Sequence, residues 1–186
     1  QRIIDANAGK TEFCKPDPME RIEHDCSGFR AGGIAAAAIL RQILTMPAIY
    51  EYRLTVSPDA IDGQGHVNNL EYVRWMQEAA IAHSIAQGWT AARYREIGAG
   101  WVARSHWIEY LQPAFAGDPV IVYTWVANFR KIRSLRKYKM VRTTDQAVLA
   151  VAETNWAFIG LEHRVPRRVP PEVADAFVVV PTDQEP

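Results

Sequence analysis

The 186-residue sequence has only two cysteines, no net charge and no long hydrophobic run, and each of these features excludes some classes of protein. Cys14 and Cys26 match no disulfide framework or metal motif, so we expect free thiols in a reducing compartment. Lys plus Arg number 21 and Asp plus Glu number 21, so global charge favours neither nucleic acid nor an anionic membrane. The longest apolar run, residues 34–40, is too short to cross a bilayer. We expect a cytoplasmic protein that binds neither nucleic acid nor membrane.

Two common catalytic or nucleotide-binding motifs are also absent. Gly9-Lys10-Thr11 has the ending of a phosphate-binding loop, but Ile4 stands where that motif requires a glycine. No Gly-x-Ser-x-Gly occurs, which removes the usual signature of a serine hydrolase. His24 lies close to Cys26 without further metal-ligating residues. We therefore expect no metal and no cofactor.

Residues 1–46 differ in composition from the rest of the chain. They combine scattered charge and two prolines with an alanine-rich stretch, and they begin with Gln1. Six acidic residues in this part argue against an organelle transit peptide. We predict that residues 1–46 are an appendage or upstream sequence, and that residues 47–186 form the folded domain.

From Ile49 onwards the periodicity predicts an α+β fold. Alternation from Tyr50 to Val56 indicates a half-buried strand. Apolar residues then recur at helical spacing until Gly88, which predicts one long helix. We assign to its apolar face Leu70, Val73, Trp75, Met76, Ala79, Ala80 and Ile85.

Four segments rich in Val, Ile, Tyr and Trp follow the helix. They span roughly residues 100–111, 119–129, 132–143 and 147–160. Because no helix long enough to cross between them intervenes, we expect neighbouring strands to pair antiparallel in a meander. The elements predict a curved antiparallel sheet of about five strands wrapped around one central helix.

The link between the first strand and the helix reads Asp62-Gly63-Gln64-Gly65-His66-Val67-Asn68-Asn69. It places a carboxylate and an imidazole four positions apart, on a backbone that its glycines allow to turn sharply. Asn68 or Asn69 can cap the helix. The free N–H groups of the first helical turn favour negative charge, including charge that develops on an oxygen during a reaction. Ordinary turn formation is the alternative interpretation of the same residues.

With these elements in this order, the sequence resembles the hotdog-fold thioesterases, in particular the 4-hydroxybenzoyl-CoA thioesterase-like family, related to the acyl-ACP thioesterases. Four blocks carry the resemblance over about residues 48–175. They are residues 62–69 with Tyr72 and Trp75, residues 110–113, Gly117-Asp118, and Val165-Pro166 to Pro170. The resemblance implies a hotdog fold, hydrolysis of acyl-CoA to free acid and CoA without a cofactor, and a homodimer or homotetramer.

The resemblance also implies roles for the 62–69 block. Asp62 acts as nucleophile or general base, and backbone N–H groups around Gly65, His66 and Val67 polarise the thioester carbonyl. His66 either takes part in catalysis or holds the loop. Gln64 stands where the acyl-ACP branch has Asn, and its amide can still donate a hydrogen bond. A glutamate of that branch falls near Pro113 and is absent here, which favours the CoA branch.

For substrate binding we expect an acyl slot along the helix, lined by residues such as Tyr72, Trp75 and Met76, and we also assign Asn68 to substrate binding. Residues 130–142 contain seven cations and no acid. They form either a solvated strand face or a docking surface for CoA phosphates or for acyl carrier protein. The cations that we assign to such a surface are Arg130, Lys131, Arg133 and Arg136.

Three histidine and glutamate positions outside the loop remain. Glu78 forms either a surface ion pair with Arg74, four positions earlier, or a second carboxylate at a subunit interface. We expect His83 and His106 to be structural. Two other functions stay open: a hotdog hydratase or dehydratase, and a non-catalytic module that binds acyl-CoA or acyl carrier protein.

Overall fold

The computed structural model describes residues 47–186, so the predicted appendage lies outside the described residues. The strands are β1 (Ile49–Thr55), β2 (Ala99–Tyr110), β3 (Pro119–Arg130), β4 (Arg133–Arg142) and β5 (Val148–Gly160). The helices are α1 (Asn69–Ala86), α2 (Ala91–Glu96) and α3 (Pro171–Ala174), with 3-10 turns at Pro58–Ala60 and Thr182–Gln184. Within residues 47–186 no helix is long and apolar enough to cross a membrane.

The five strands form one antiparallel sheet in the order β1-β3-β4-β5-β2. This confirms the α+β fold with a five-stranded sheet and one long helix. The expected four-strand meander is wrong at β2, which pairs with β5 and not with β3. The reason lies in residues 111–118, which we call the crossing segment. A link of eight residues can reach the roughly 14 Å that three strand spacings require, so β2 and β3 need not be neighbours.

Hydrogen bonds hold the crossing segment against the ends of β4 and β5. The N–H of Leu111 donates to the Leu149 carbonyl at 2.8 Å. The Nη1 of Arg142 donates to the Pro113 carbonyl at 3.1 Å. The segment therefore passes across one end of the sheet, beside the residues that follow β1.

Helix α1 packs one face on the sheet. Its buried residues recur at spacings of three and four, and they are Tyr72, Trp75, Met76, Ala79, Ala80 and His83. Met76 is 0% exposed in the core, whereas Leu70 is 73% exposed. Assigning Leu70 and Ile85 to the buried face was wrong, because Leu70 is exposed in the first turn of α1 and Ile85 is exposed at the rim of the space between α1 and β2.

We predict different stability effects for truncations at two of these apolar positions. Met76→Ala leaves a cavity in the core and should lower the free energy of unfolding by about 2–5 kcal/mol. Leu70→Ala removes an exposed side chain and should change it by less than about 0.5 kcal/mol. Urea unfolding of both variants checks this. Equal losses would contradict the burial pattern of α1.

Candidate functional site

The loop that precedes α1 is a tight hairpin-like structure. The N–H of Asp62 donates to the His66 carbonyl at 2.9 Å, and Ile61 forms an isolated antiparallel bridge with Val67. Gly65 has a φ of 82°, a conformation that L side chains rarely adopt, which explains glycine at that position. Asn68 caps α1, since its Oδ1 accepts from the N–H of Leu70 at 2.9 Å. These contacts fix the loop at the amino end of α1.

Asp62 and His66 come together within this loop. Asp62 Oδ1 accepts from the N–H of Gln64 at 2.8 Å, and this bond orients the carboxylate. Its Oδ2 lies 3.8 Å from Nδ1 of His66. The Asp62 side chain is 23% exposed and that of His66 is 35% exposed. A half-buried carboxylate with one oxygen held by the backbone leaves its second oxygen available for a ligand.

The structure corrects two of the three predicted carbonyl donors. The N–H of Gly65 donates to the Asp62 carbonyl at 3.0 Å, and the N–H of Val67 donates to the Ala114 carbonyl at 2.9 Å. Both groups are used by the turn and by the crossing segment, so neither is free for a ligand. In the described part of the chain, the N–H groups of Gly63, His66 and Asn69 donate to no protein acceptor. Of these three residues, His66 and Asn69 line a cleft, so their N–H groups are the donors nearest to a ligand there.

A cleft of about 230 Å³ opens beside the loop. It lies between the amino end of α1, the end of β2 and the crossing segment, and is lined by His66, Val67, Asn69, Tyr72, Tyr110, Leu111, Gln112 and Pro113. The Tyr110 hydroxyl donates to the Asn69 carbonyl at 3.3 Å, and the Tyr110 and Tyr72 rings meet edge to face. Residues 110–113 were singled out in the sequence as a block, but no local pattern placed them at this cleft.

Three residues that the sequence assigned to the site do not line this cleft. Trp75 and Met76 are buried in the main core and line neither this cleft nor the second cavity described below. They therefore form the floor under α1 and not the wall of an open acyl slot. Gln64 sits exposed at the tip of the loop.

The seven cations of residues 130–142 do not form one surface. Arg130, Lys131 and Arg133 are exposed at the β3–β4 turn, at the opposite end of the sheet from the loop. Arg136 is buried on the inner face of β4. Alternation along a strand sends successive side chains to opposite faces, so the sequence cluster is divided between the two sides of the sheet. Assigning Arg136 to an exterior docking surface was therefore wrong.

Two further cations of this segment are bound in ion pairs. Lys137 Nζ donates to Glu185 at 2.9 Å. Arg142 pairs with Asp118 at 3.1 Å and with Asp145 at 2.8 Å. Arg142 thereby fastens the crossing segment to β4, which is a supporting role for the cleft.

Glu78 does not form the expected pair with Arg74. Arg74 contacts Glu71 at 3.5 Å, whereas Glu78 accepts a hydrogen bond from the Tyr52 hydroxyl at 3.0 Å. This contact directs Glu78 towards β1, away from the loop. A role for Glu78 at a subunit interface stays a prediction.

The sequence profile described as the thioesterase-like superfamily matches residues 56–177. The chain belongs to the thioesterase-like superfamily. The match spans the loop, α1, all the strands after it and α3. No curated protein matches the chain.

Solved structures show the same fold. A 1,4-dihydroxy-2-naphthoyl-CoA thioesterase from Synechocystis is 20% identical, with a TM-score of 0.64 over 69% of this chain and 94% of that one. A hypothetical protein from Staphylococcus aureus in complex with CoA is 14% identical, with a TM-score of 0.65 over 69% and 80%. An acyl-ACP thioesterase from Bacteroides thetaiotaomicron is 21% identical, with a TM-score of 0.64 over 75% of this chain but only 57% of its own.

This thioesterase-like domain also holds a buried polar cluster at the carboxyl end of α1. His83 Nδ1 lies 2.9 Å from Nη1 of Arg136, and its Nε2 lies 3.1 Å from the side-chain amide of Gln87. Tyr50 stacks on the imidazole, with ring centroids 5.4 Å apart. Burial and the neighbouring Arg136 lower the pKa of His83 to about 3. The imidazole is therefore neutral, and Nδ1 accepts from the guanidinium. The ring proton then lies on Nε2, which donates to the side-chain amide of Gln87 when the amide oxygen is turned towards it. The structural role predicted for His83 stays an expectation.

We predict a pH-dependent stability that originates in His83. Because its folded pKa of about 3 is below its ordinary value of 6.5, the unfolded chain binds the extra proton, and stability falls as pH decreases through this window. The slope approaches about 1.4 kcal/mol per pH unit. His83→Gln should flatten the dependence between pH 6.5 and 4, whereas His163→Gln, at an exposed position, should not. Urea unfolding across this range gives the slopes. Identical slopes in His83→Gln and wild type would contradict a neutral buried imidazole.

Proposed function

We propose that the protein hydrolyses acyl-CoA thioesters to the free acid and CoA. One observation carries this proposal. The Asp62 carboxylate lies 3.8 Å from His66, and His66 and Asn69, whose N–H groups are unengaged, line a cleft at the amino end of α1. A carboxylate next to hydrogen-bond donors is what attack on an acyl carbonyl requires. Membership of the thioesterase-like superfamily supports the same reaction class.

The chemistry divides between the carboxylate and the donors. Asp62 Oδ2 either attacks the thioester carbon or removes a proton from an attacking water, and in both cases water supplies the hydroxyl of the product acid while the thiol leaves with a proton. The N–H groups of His66 and Asn69 are placed to stabilise the oxyanion. One such donor is typically worth about 3 kcal/mol in the transition state. The positive end of the α1 dipole adds to this stabilisation.

We favour CoA over acyl carrier protein as the carrier. Arg142, the cation beside the crossing segment, is paired with Asp118 and Asp145, whereas an acidic carrier protein would need a positive docking surface near the loop. One solved structure of similar fold is a complex with CoA. The exposed cations Arg130, Lys131 and Arg133 stay candidates for phosphate contacts, about one strand length from the loop. A cytoplasmic location and a reaction without a cofactor stay predictions.

Asp62→Asn is the sharpest test of this mechanism. The variant keeps an oxygen to accept from the Gln64 N–H but loses the charge, so the loop should hold its shape while kcat/KM falls about 10²- to 10⁴-fold. Asp59→Asn, an exposed position three residues earlier, is the matched control and should retain activity. Thiol release from a panel of acyl-CoAs measures both.

Other outcomes of this assay assign the chain to a different class. If wild type binds acyl-CoA but releases no thiol, the domain is a binding module. If it adds water to an enoyl-CoA, it is a hydratase. Full activity in Asp62→Asn would exclude Asp62 as nucleophile or base.

We also propose that two copies pair along β2. This strand is an edge of the sheet, and residues 102–107 are exposed on both faces. Val102 and Trp107 are exposed there, and Ile81 and Ile85 of α1 share the lining of one cavity with Val102. A long unprotected edge with apolar side chains is a template for pairing with another strand.

Trp107→Lys should weaken the homodimer because it places a charge in the proposed interface. We expect at least a roughly tenfold rise in the dissociation constant, which corresponds to about 1.4 kcal/mol. Val178→Lys, which changes an exposed valine away from β2, is the control. Sedimentation velocity over a concentration series measures both variants. A dimer unaffected by Trp107→Lys, or a monomeric wild type, would contradict pairing along β2.

A further inference from the structure

Arg136 is a buried cation without an acidic partner. It is 6% exposed on the inner face of β4. Burial lowers the pKa of its guanidinium, and no carboxylate contributes to the charges around it. Among residues 47–186, no Asp or Glu oxygen lies within 4.0 Å of it. Taking an ion out of water costs several kcal/mol unless it is compensated, so a buried charge of this kind requires an explanation.

Neutral neighbours accept hydrogen bonds from only one nitrogen of the guanidinium, Nη1. Its Nη1 donates to His83 Nδ1 at 2.9 Å and to Thr124 Oγ1 at 3.3 Å. The Phe177 ring lies 5.7 Å from Cζ, which adds a cation–π contact. A guanidinium has five N–H donors, and in the described residues Nε and Nη2 donate to no protein atom. The contacts hold the group in place from one side and leave its other side open.

The open side faces a cavity of about 510 Å³. Its volume is in the range of small-molecule sites, and its walls are mainly apolar, with six aromatic residues among them. The aromatic lining residues are Trp89, Tyr94, Trp101, Phe129, Trp156 and Phe177. Its exposed rim includes Ile81, Ile85 and Val102, between α1 and β2, so the cavity adjoins the edge along which we propose that two copies pair. An apolar chamber with a single cation matches a molecule that is apolar along most of its length and anionic at one end.

This cavity is separate from the cleft at the loop. No residue lines both. Along α1, Ser84 at the cavity lies about 22 Å from Asn69 at the cleft, at a rise of 1.5 Å per residue. Binding at Arg136 therefore does not depend on the hydrolytic role proposed for Asp62.

We propose that this cavity is a binding site for an apolar organic carboxylate, with the carboxylate paired to Arg136 and the apolar body packed among the aromatic side chains. Thr124 and His83 orient the guanidinium from behind, so its Nε and Nη2 edge presents two parallel donors to the two carboxylate oxygens. The carboxylate belongs either to a free carboxylic acid or to the far end of an acyl group. In both cases its charge compensates the buried cation.

Binding of 4-phenylbutyrate and of 4-phenylbutan-1-ol to the full chain tests the site by calorimetry. The two probes share an apolar body and differ in charge. We expect the carboxylate to bind wild type at least about tenfold more tightly than the alcohol, since a hydrogen bond to a charged group is worth about 1.5–3 kcal/mol. Arg136→Met, which keeps an apolar side chain of similar length, should lose that preference.

Arg133→Met is the matched control, because it removes an exposed cation from the same strand and should leave binding unchanged. Arg136→Met should fold, since replacing an uncompensated buried charge by an apolar side chain is often neutral or stabilising. Arg136→Lys keeps the charge without the fork and should bind with intermediate affinity. Equal affinities of wild type for the acid and the alcohol, or unchanged carboxylate binding in Arg136→Met, would overturn the proposal.

A second arm distinguishes the source of the carboxylate. Octadecanedioyl-CoA and octadecanoyl-CoA differ only in a terminal carboxylate, and their acyl chains are long enough for the roughly 22 Å between the cleft and the cavity. Both are bound to the Asp62→Asn variant with and without Arg136→Met. A tenfold preference for the diacid that Arg136→Met removes assigns the cavity to the end of an acyl group. Phenylbutyrate binding without that preference assigns it to a free acid. Loss of both overturns the site, whatever the outcome of the hydrolysis assay.

Discussion

The geometry of the loop depends on the crossing segment that passes beneath it. Val67 donates to the Ala114 carbonyl at 2.9 Å. Val56, directly after β1, donates to the Asp118 carbonyl at 3.0 Å and accepts from the N–H of Gly117 at 2.9 Å. Arg142 adds bonds from β4 to Pro113 and Asp118. These contacts hold the amino end of α1 against the sheet. Without them, the carboxylate and the N–H donors would belong to an independent surface loop.

Whether the sequence could predict a feature of the fold or of the candidate site depends on how far apart in the chain the interacting residues lie. The strand segments, α1 and its Asn68 cap depend on local periodicity and capping, and the sequence predicts them. The position of β2 beside β5 depends on where an eight-residue link leads, which no local pattern encodes. Likewise, the N–H of Val67 donates to the carbonyl of Ala114, 47 residues further along the chain. The sequence alone therefore did not show which N–H groups of the loop are free for a ligand.

The distribution of the cations in residues 130–142 was also not predicted from the sequence. Seven cations in thirteen positions suggest one surface, yet a strand distributes its side chains over two faces. Arg133 points outward, whereas Arg136 points to the helix and is buried. The sequence signal for an interior cation would have been its position in register with Ser134, Tyr138 and Met140, the buried residues of β4. Reading the strand by alternation, instead of by net charge, separates the two roles.

Charge is thus placed in opposite ways at the two ends of α1. At its amino end, the Asp62 carboxylate is partly solvated and lies beside the positive pole of the helix. At its carboxyl end, the positive Arg136 is enclosed by aromatic rings and neutral acceptors. The helix dipole is negative there, which favours a cation, but a dipole contribution of about 1 kcal/mol does not offset the desolvation of a guanidinium. In the site that we propose, the carboxylate of a ligand supplies the remaining compensation, and this imbalance is why the larger cavity points to a molecule with an anionic end.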